Sequence, residues 1–315
     1  MVKVGLIGSG NIGGALATMI LDKQLGEVAL YDKEPGLAEG KALDLAQSFA
    51  AEEMSLRIEG SNNFEVLKGS DVLVVTAGFP RGPGMSRQDL LLKNIEVYKE
   101  IGPLIVRYAP QAFVIVVTNP LDLMVWAMQK ITGFPHARVV GMAGILDTAR
   151  FATFIAEALE VSSFDVKTLV LGGHGDLMVP LVRHTHIGGV PLETLWKRRN
   201  KTVAELEALI ERTRNGGAEI VGLLKRGSAY MAPARACFYM IKAYLRDEKR
   251  LLPCSAFIDG LYDERALYMG VPVVLGRYGV EEIVEIDLDE KEREAFRASA
   301  SDIWVHLKEL EHLHF

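Results

Sequence analysis

The strongest constraint on this 315-residue chain is a glycine turn set between two β-type runs at its start. Val2–Ile7 is apolar and β-branched, and Gly8-Ser9-Gly10-Asn11-Ile12-Gly13 follows it directly. A helical pattern, Ile12–Asp22, begins inside the turn, and a second strand-like run, Glu27–Tyr31, ends at Asp32. In such a unit Gly8 permits the tight turn, Gly10 lets backbone approach a pyrophosphate, and Gly13 lets the helix pack closely on the strand. The helix N-terminus, with Asn11 and Ile12 in its first turn, offers unpaired N–H groups and a positive dipole end to phosphates. Asp32 lies 19 residues after Gly13. A carboxylate there accepts from ribose hydroxyls and repels a 2′-phosphate, which points to NAD rather than NADP. A turn-opening aspartate is the alternative reading of Asp32, and Lys33 beside it could partly offset the repulsion.

The rest of the first half repeats the alternation. Ser55–Glu59, Asp71–Thr76, Phe113–Thr118 and Arg138–Gly141 read as strands; Gly36–Phe49, Gln88–Tyr108 and Leu121–Ile131 read as helices. Val72–Thr76 and Val114–Thr118 are nearly all apolar, as strands buried on both faces of a parallel sheet are. The expectation is an α/β chain: a Rossmann-type, doubly wound parallel sheet with ligands at the carboxyl ends of its strands. After about Gly141 the pattern changes. A helix at Asp147–Leu159, a strand at Val166–Leu171, helices at Thr202–Lys225 and Pro233–Tyr244, hairpin-like stretches at Leu252–Tyr262 and Met269–Tyr278, and a helix from Asp289 to Leu310 read as an α+β substrate domain. The expected division is 1–142 and 143–315.

Composition narrows the function classes. The net charge of -6 argues against general nucleic-acid binding, which rests on neutralising phosphates. No apolar run is long enough to span a bilayer and no targeting segment is visible, so no membrane partner and a cytoplasmic location are expected. Two cysteines, Cys237 and Cys254, lack metal-ligand spacing and suit a reducing compartment.

Chemistry-bearing residues cluster at strand ends. His174, in Leu171-Gly172-Gly173-His174-Gly175-Asp176, is framed by glycines that leave an imidazole uncrowded, although a turn-capping histidine fits the same pattern. Asp147 and Arg150 share one helix face at i and i+3, as a surface ion pair also would. Arg81 and Arg87, in Gly78-Phe79-Pro80-Arg81-Gly82-Pro83-Gly84-Met85-Ser86-Arg87, read as a cationic lid or as a solvated loop. Asn119-Pro120 ends the fifth strand at the same sheet edge. His184 and His186 alternate along a strand-like stretch without an evident third ligand, and His312 and His314 lie in a tail. No metal site is expected.

Taken together, GSGNIG, PRGPGMSR, TNPLD, LDTAR, GGHGD, GSAYMAPA and LYMGVPVVLG resemble the malate and lactate dehydrogenase family along the whole chain, in its lactate-dehydrogenase-like malate dehydrogenase branch. The resemblance implies that His174 accepts the proton in alcohol oxidation and Asp147 orients it. It implies that Arg150 grips the carboxylate beside the reacting carbon, Arg87 polarises the carbonyl, Asn119 bonds the substrate oxygen and Ser228 lines the pocket. It also implies cofactor contacts from Gly8, Gly10, Asn11, Ile12, Gly13, Asp32, Thr76, Ala77, Gly78, Asn94, Thr118 and Asn119. The family is typically a homo-oligomer, dimer or tetramer. Arg81 occupies a position that is commonly glutamine with lactate and arginine with malate, so the expected small-molecule substrate is malate or oxaloacetate. Lactate or a bulkier 2-hydroxy acid, and a catalytically silent NAD-binding protein, are the competing readings. Leu177 stands where family members often carry threonine.

Overall fold

The computed structural model describes residues 2–52, 57–80 and 85–310, with Arg87 described by its backbone alone. The β-branched runs between glycine turns become strands β1 (Lys3–Ile7), β2 (Glu27–Tyr31), β3 (Ile58–Ser61), β4 (Val72–Val75), β5 (Phe113–Val116) and β6 (Val139–Gly141). They pair in parallel in the order β3-β2-β1-β4-β5-β6. Helices α1 (Asn11–Asp22), α2 (Leu37–Ala51), α3 (Arg87–Tyr108) and α4 (Leu121–Thr132) make the crossovers. Every residue of β4 and β5 is buried, as central strands covered on both faces must be. The order reverses between β1 and β4, and the carboxyl ends of those two strands flank the crevice where open α/β sheets bind ligands. Observed β3 starts later than the sequence pattern suggests, and part of the predicted stretch, 55–56, lies outside the described residues.

Local chemistry sets the helix ends that matter. α3 opens with a capping box: Asp89 N–H donates to Ser86 Oγ at 3.0 Å, and Ser86 N–H donates to Asp89 Oδ2 at 3.1 Å. α4 follows Pro120 and ends at Gly133, whose φ of 65° places it in the left-handed region that favours glycine.

The second half contains α5 (Gly144–Leu159), β7 (Val166–Lys167), β8 (Val170–Leu171), β9 (Val179–Pro180), β10 (His186–Ile187), β11 (Val190–Pro191), α6 (Leu192–Arg198), α7 (Val203–Leu224) and α8 (Met231–Leu245). It closes with β12 (Arg250–Ile258), β13 (Leu267–Gly276), β14 (Gly279–Ile283) and α9 (Glu290–Leu310). Two features depart from the sequence expectation. The single strand expected over Val166–Leu171 is two strands in different sheets, because β7 pairs with β10 while β8 pairs with β9. The change of partner falls at Thr168 and Leu169, where Thr168 Oγ1 bonds Thr185 Oγ1 at 2.6 Å and Leu169 O accepts from Leu181 N–H.

The predicted hairpin-like stretches, moreover, are one long antiparallel pair, β12 with β13, that joins the first half's sheet. Ser255 of β12 stands opposite Gly141 of β6, so among the described residues nine strands form one sheet. A Cβ at Gly141 would lie 2.8 Å from Ser255 Cβ, so only glycine allows this approach.

α5 joins two apolar cores. Leu146 belongs to the large core around the sheet; Phe151, Ile155 and Leu159 belong to a second core with Trp196 and Leu209. A helix gripped at both ends is a rigid platform for Asp147 and Arg150, which lie between the grips. No helix among the described residues is long and apolar enough to cross a membrane.

Candidate active site

The first half of the site is made of backbone. Gly8 has a φ of 104°, and a Cβ there would lie 2.5 Å from Thr76 Oγ1 and 2.9 Å from the Ala77 nitrogen. A Cβ on Gly13 would lie 2.2 Å from the Gly8 carbonyl oxygen. Gly10 differs: nothing of the chain stands within 4 Å of a Cβ there. Gly8 and Gly13 are therefore glycines for the fold's sake. Gly10 leaves a cradle beside the N-terminus of α1, where Asn11 and Ile12 begin the helix. Asp32 directly follows β2 and faces the turn: Ser9 N–H donates to Asp32 Oδ2 at 2.7 Å and Glu34 N–H to Oδ1 at 3.1 Å. Ser9 Oγ is buried with no hydrogen-bond partner among the described residues. A dinucleotide fits this set, with its pyrophosphate on the open Gly10 side and a ribose at Asp32.

The neighbouring strand ends continue the groove. Thr76, Ala77 and Gly78 follow β4, and Gly78 has a φ of 150° with Thr118 Cγ2 and Asn94 Oδ1 against the place of a Cβ. Asn94 of α3 is fully buried; its Oδ1 accepts from Phe79 N–H at 2.7 Å, and its Nδ2–H donates to Asn119 O at 2.7 Å. Thr118 Oγ1–H donates to Ala77 O at 2.7 Å. These bonds lock the loops after β4 and β5 together, and Asn119 precedes a cis bond to Pro120.

The second half of the site is made of side chains. His174 Nδ1 lies 2.8 Å from Asp147 Oδ2, and Arg150 Nη1–H donates to Asp147 Oδ1 at 3.1 Å. A carboxylate only accepts, so Nδ1 carries the proton and the neutral ring keeps its lone pair on Nε2. Burial works against a charged imidazole here. The Asp147 charge and hydrogen bond, aided by Asp122, outweigh burial and the opposing Arg150 charge, and the His174 pKa is raised above the ordinary 6.5. Arg150 Nε is buried without a hydrogen-bond partner among the described residues, the state of a guanidinium that a carboxylate ligand would complete. A Cβ at Gly216 of α7 would lie 3.1 Å from Arg150 Cδ, so that glycine makes room for the arginine.

The structure thus brings His174, Asp147 and Arg150 into one cluster and the glycine turn, Asp32, Thr76, Ala77, Gly78, Asn94, Thr118 and Asn119 into one groove. Ser228 is exposed in the connection between α7 and α8, outside the cluster's hydrogen bonds. Arg81 and the Arg87 side chain lie outside the described residues; the Arg87 backbone begins α3. His186 lies in β10, and the His184 ring packs beside Asp287 O at 3.3 Å. No group of three or more metal-ligating side chains occurs among the described residues, and His312 and His314 lie outside them.

Residues 2–141 match the family model for the lactate/malate dehydrogenase NAD binding domain. Residues 145–313 match that for the lactate/malate dehydrogenase alpha/beta C-terminal domain. The chain belongs to the lactate/malate dehydrogenase family. As a lactate/malate dehydrogenase it is an NAD-dependent oxidoreductase, and the groove lies within the residues that match the NAD binding domain.

Solved relatives include both activities at the same distance. Malate dehydrogenase from Cryptosporidium parvum is 41% identical over 99% of each chain, with a TM-score of 0.96. Lactate dehydrogenase from the same organism, solved with lactic acid and nicotinamide adenine dinucleotide, is 40% identical over 99% of each chain, with a TM-score of 0.95. Malate dehydrogenase from Salinibacter ruber is 42% identical over 99% of this chain and 98% of its own, with a TM-score of 0.92.

Sequence reasoning passed over three polar groups that hold this dehydrogenase's histidine loop. Gly173 N–H donates to Ser299 Oγ of α9 at 2.8 Å, His174 N–H donates to Asp122 Oδ2 of α4 at 2.8 Å, and Ser255 Oγ–H donates to Asp122 Oδ1 at 2.6 Å. All three side chains are buried. Asp122 belongs to the TNPLD motif, and a carboxylate at the start of an otherwise apolar helix is the available signal. Ser255 and Ser299 gave none, since an isolated serine in a strand or helix has no pattern.

Proposed function

We propose that this enzyme is a malate dehydrogenase, interconverting malate and oxaloacetate. The observation that carries the reading is Arg81 in the PRGPGMSR segment. Overall similarity does not separate the substrates, because the two Cryptosporidium parvum relatives are 41% and 40% identical to this chain. Arginine chemistry does. Malate and oxaloacetate carry a second carboxylate, which a guanidinium pairs through two parallel hydrogen bonds in a dry site. With lactate or pyruvate the same guanidinium would face a methyl group, an uncompensated buried charge.

NAD, when bound, supplies the hydride acceptor that carbinol oxidation needs. The chain supplies the rest. His174 takes the hydroxyl proton on Nε2 as the alcohol becomes a carbonyl, and returns it in the other direction. Asp147 holds the ring in the tautomer that makes Nε2 the acceptor, and its charge stabilises the imidazolium that forms. Arg150, with its unpaired Nε–H, receives the carboxylate next to the reacting carbon, and Asn119 and Arg87 bind the reacting oxygen. Ser228 completes the pocket wall. Arg81 takes the distal carboxylate.

We further infer a cytoplasmic homo-oligomer. Its support is two free buried cysteines, Cys237 and Cys254, and exposed apolar side chains on α7 and α8, among them Leu223 and Met231.

The test follows NADH oxidation at equal concentrations of oxaloacetate and pyruvate, in the native enzyme and in Arg81→Gln. The native enzyme should prefer oxaloacetate, and the substitution should move the preference towards pyruvate by at least about tenfold, roughly 1.4 kcal/mol of differential binding. An undiminished oxaloacetate preference in R81Q would remove Arg81 from the role given to it.

A further inference from the structure

Asp122 is almost fully buried and lies in the first turn of α4, on a different helix from Asp147 and Arg150 of α5. One carboxylate oxygen accepts the backbone N–H of His174, and the other accepts the Ser255 hydroxyl. A Cβ on Gly173 would come within 3.4 Å of Asp122 Oδ2 and 3.3 Å of Ser299 Oγ, so the loop is fitted to this carboxylate. Among the described residues, the charges facing the imidazole are Asp147 and Arg150 from α5 and Asp122 from α4; β12 and α9 contribute the neutral Ser255 and Ser299. Asp176 lies on the histidine's own loop.

Among the described residues, two carboxylates, with Asp122 ionised, against one guanidinium leave the cluster one negative charge when His174 is neutral. A proton arriving on Nε2 brings the count to zero. A buried cluster that is neutral only after protonation favours protonation. Desolvation, with the Asp147 charge, holds the Asp122 carboxyl above the ordinary carboxylate range, and its two hydrogen bonds together with the His174 charge oppose that rise. The N-terminal end of the α4 dipole works in the same direction as those bonds.

We propose that Asp122 is a positioning residue for the proton-transfer step: an ionised second carboxylate that anchors the His174 backbone and makes the imidazole a better proton acceptor. This rests on His174 being the acid–base group, and on nothing about which hydroxy acid is the substrate. Asp147 works through the ring and Asp122 through the loop and the field, which is why one carboxylate cannot replace the other.

The experiment compares Asp122→Asn with Ser299→Ala. D122N keeps an amide oxygen to accept the His174 N–H and removes the charge, whereas S299A removes the acceptor of the adjacent Gly173 N–H and changes no charge. The readout is the His174 ring titration by NMR with histidine-labelled enzyme, assigned by the signal lost in H174N, alongside the pH dependence of kcat/KM in alcohol oxidation. In D122N both midpoints should fall together by about half a unit to one unit, as loss of a nearby opposite charge requires. S299A should lose stability or rate without moving either midpoint. Should D122N not fold, Ser255→Ala carries the test, since loss of its donor favours protonation of Asp122 and should move the His174 midpoint in the same direction by less. An unmoved His174 midpoint in D122N, or in S255A where only that variant folds, overturns the proposal and leaves Asp122 a packing residue. A wild-type rate profile that does not follow the His174 titration would instead sink the assignment of His174 itself.

Discussion

The two halves of the site are built from opposite materials. The cradle proposed for the cofactor is local: Gly8, Gly10, Gly13 and Asp32 fall within one strand–turn–helix–strand unit, and its shape is backbone geometry and missing Cβ atoms. The His174 cluster is assembled from α4, α5, β12, α9 and the loop after β8, and is held by side-chain charge and hydrogen bonds. The difference teaches that a dinucleotide site is a steric object and a proton-transfer site an electrostatic one. Their failure modes should differ accordingly.

The sharpest way to break the contrast is His174→Asn. Loss of the His174 ring should lower kcat by about 10²–10⁴-fold, with NADH binding by fluorescence titration unchanged. The native enzyme supplies the matching pH signature. The raised His174 pKa means that alcohol oxidation, which needs the neutral ring, falls as pH drops through a value above 6.5. Reduction of the oxo acid needs the charged ring and falls as pH rises through the same value. Weakened NADH binding in H174N would show that the two halves are not separable.

Next in size is a pair of glycine substitutions inside the cradle. Gly13→Ala drives a Cβ to 2.2 Å from the Gly8 carbonyl oxygen, so it should destabilise the protein by about 1–3 kcal/mol in urea unfolding. Gly10→Ala meets nothing of the chain and sits at a φ of -68°, so the fold should keep its stability while NADH affinity falls at least about tenfold. Equal stability losses in both would mean that Gly10 is a fold residue like its neighbour.

The smallest expected effect is at the edge of the cradle. Asp32→Asn keeps the acceptor for Ser9 N–H and removes the charge, so the preference of the enzyme for NADH over NADPH should narrow by about tenfold or less. Rates measured with both cofactors at fixed substrate report it. Discrimination that survives intact would assign it elsewhere.

Legibility followed the same division. β1, the glycine turn, α1 and β2 were readable because their signals lie within some thirty consecutive residues and depend on φ, apolar periodicity and the absence of a Cβ. β4 and β5 were readable because a doubly buried strand must be apolar at every position. The split of Val166–Leu171 between two sheets was not readable, since β7 and β8 differ in their partners and not in their own residues. Asp147 and Arg150 were legible as a pair by helical spacing, but a surface ion pair has the same spacing. Burial distinguishes the two, with Asp147 2% exposed.

By itself, the sequence determined the parallel α/β half, the dinucleotide turn and the sign of charge that Asp32 and Arg81 present. These follow from short-range sterics and from which atoms a side chain carries. Only the tertiary structure decided that β12 would join β6 and set Ser255 opposite Gly141, and that Asp122, 52 residues before His174, would take that histidine's backbone N–H. The physical reason is that a buried polar group is acceptable only once its partners arrive. Those partners come from elements distant in the chain, so no local pattern encodes them.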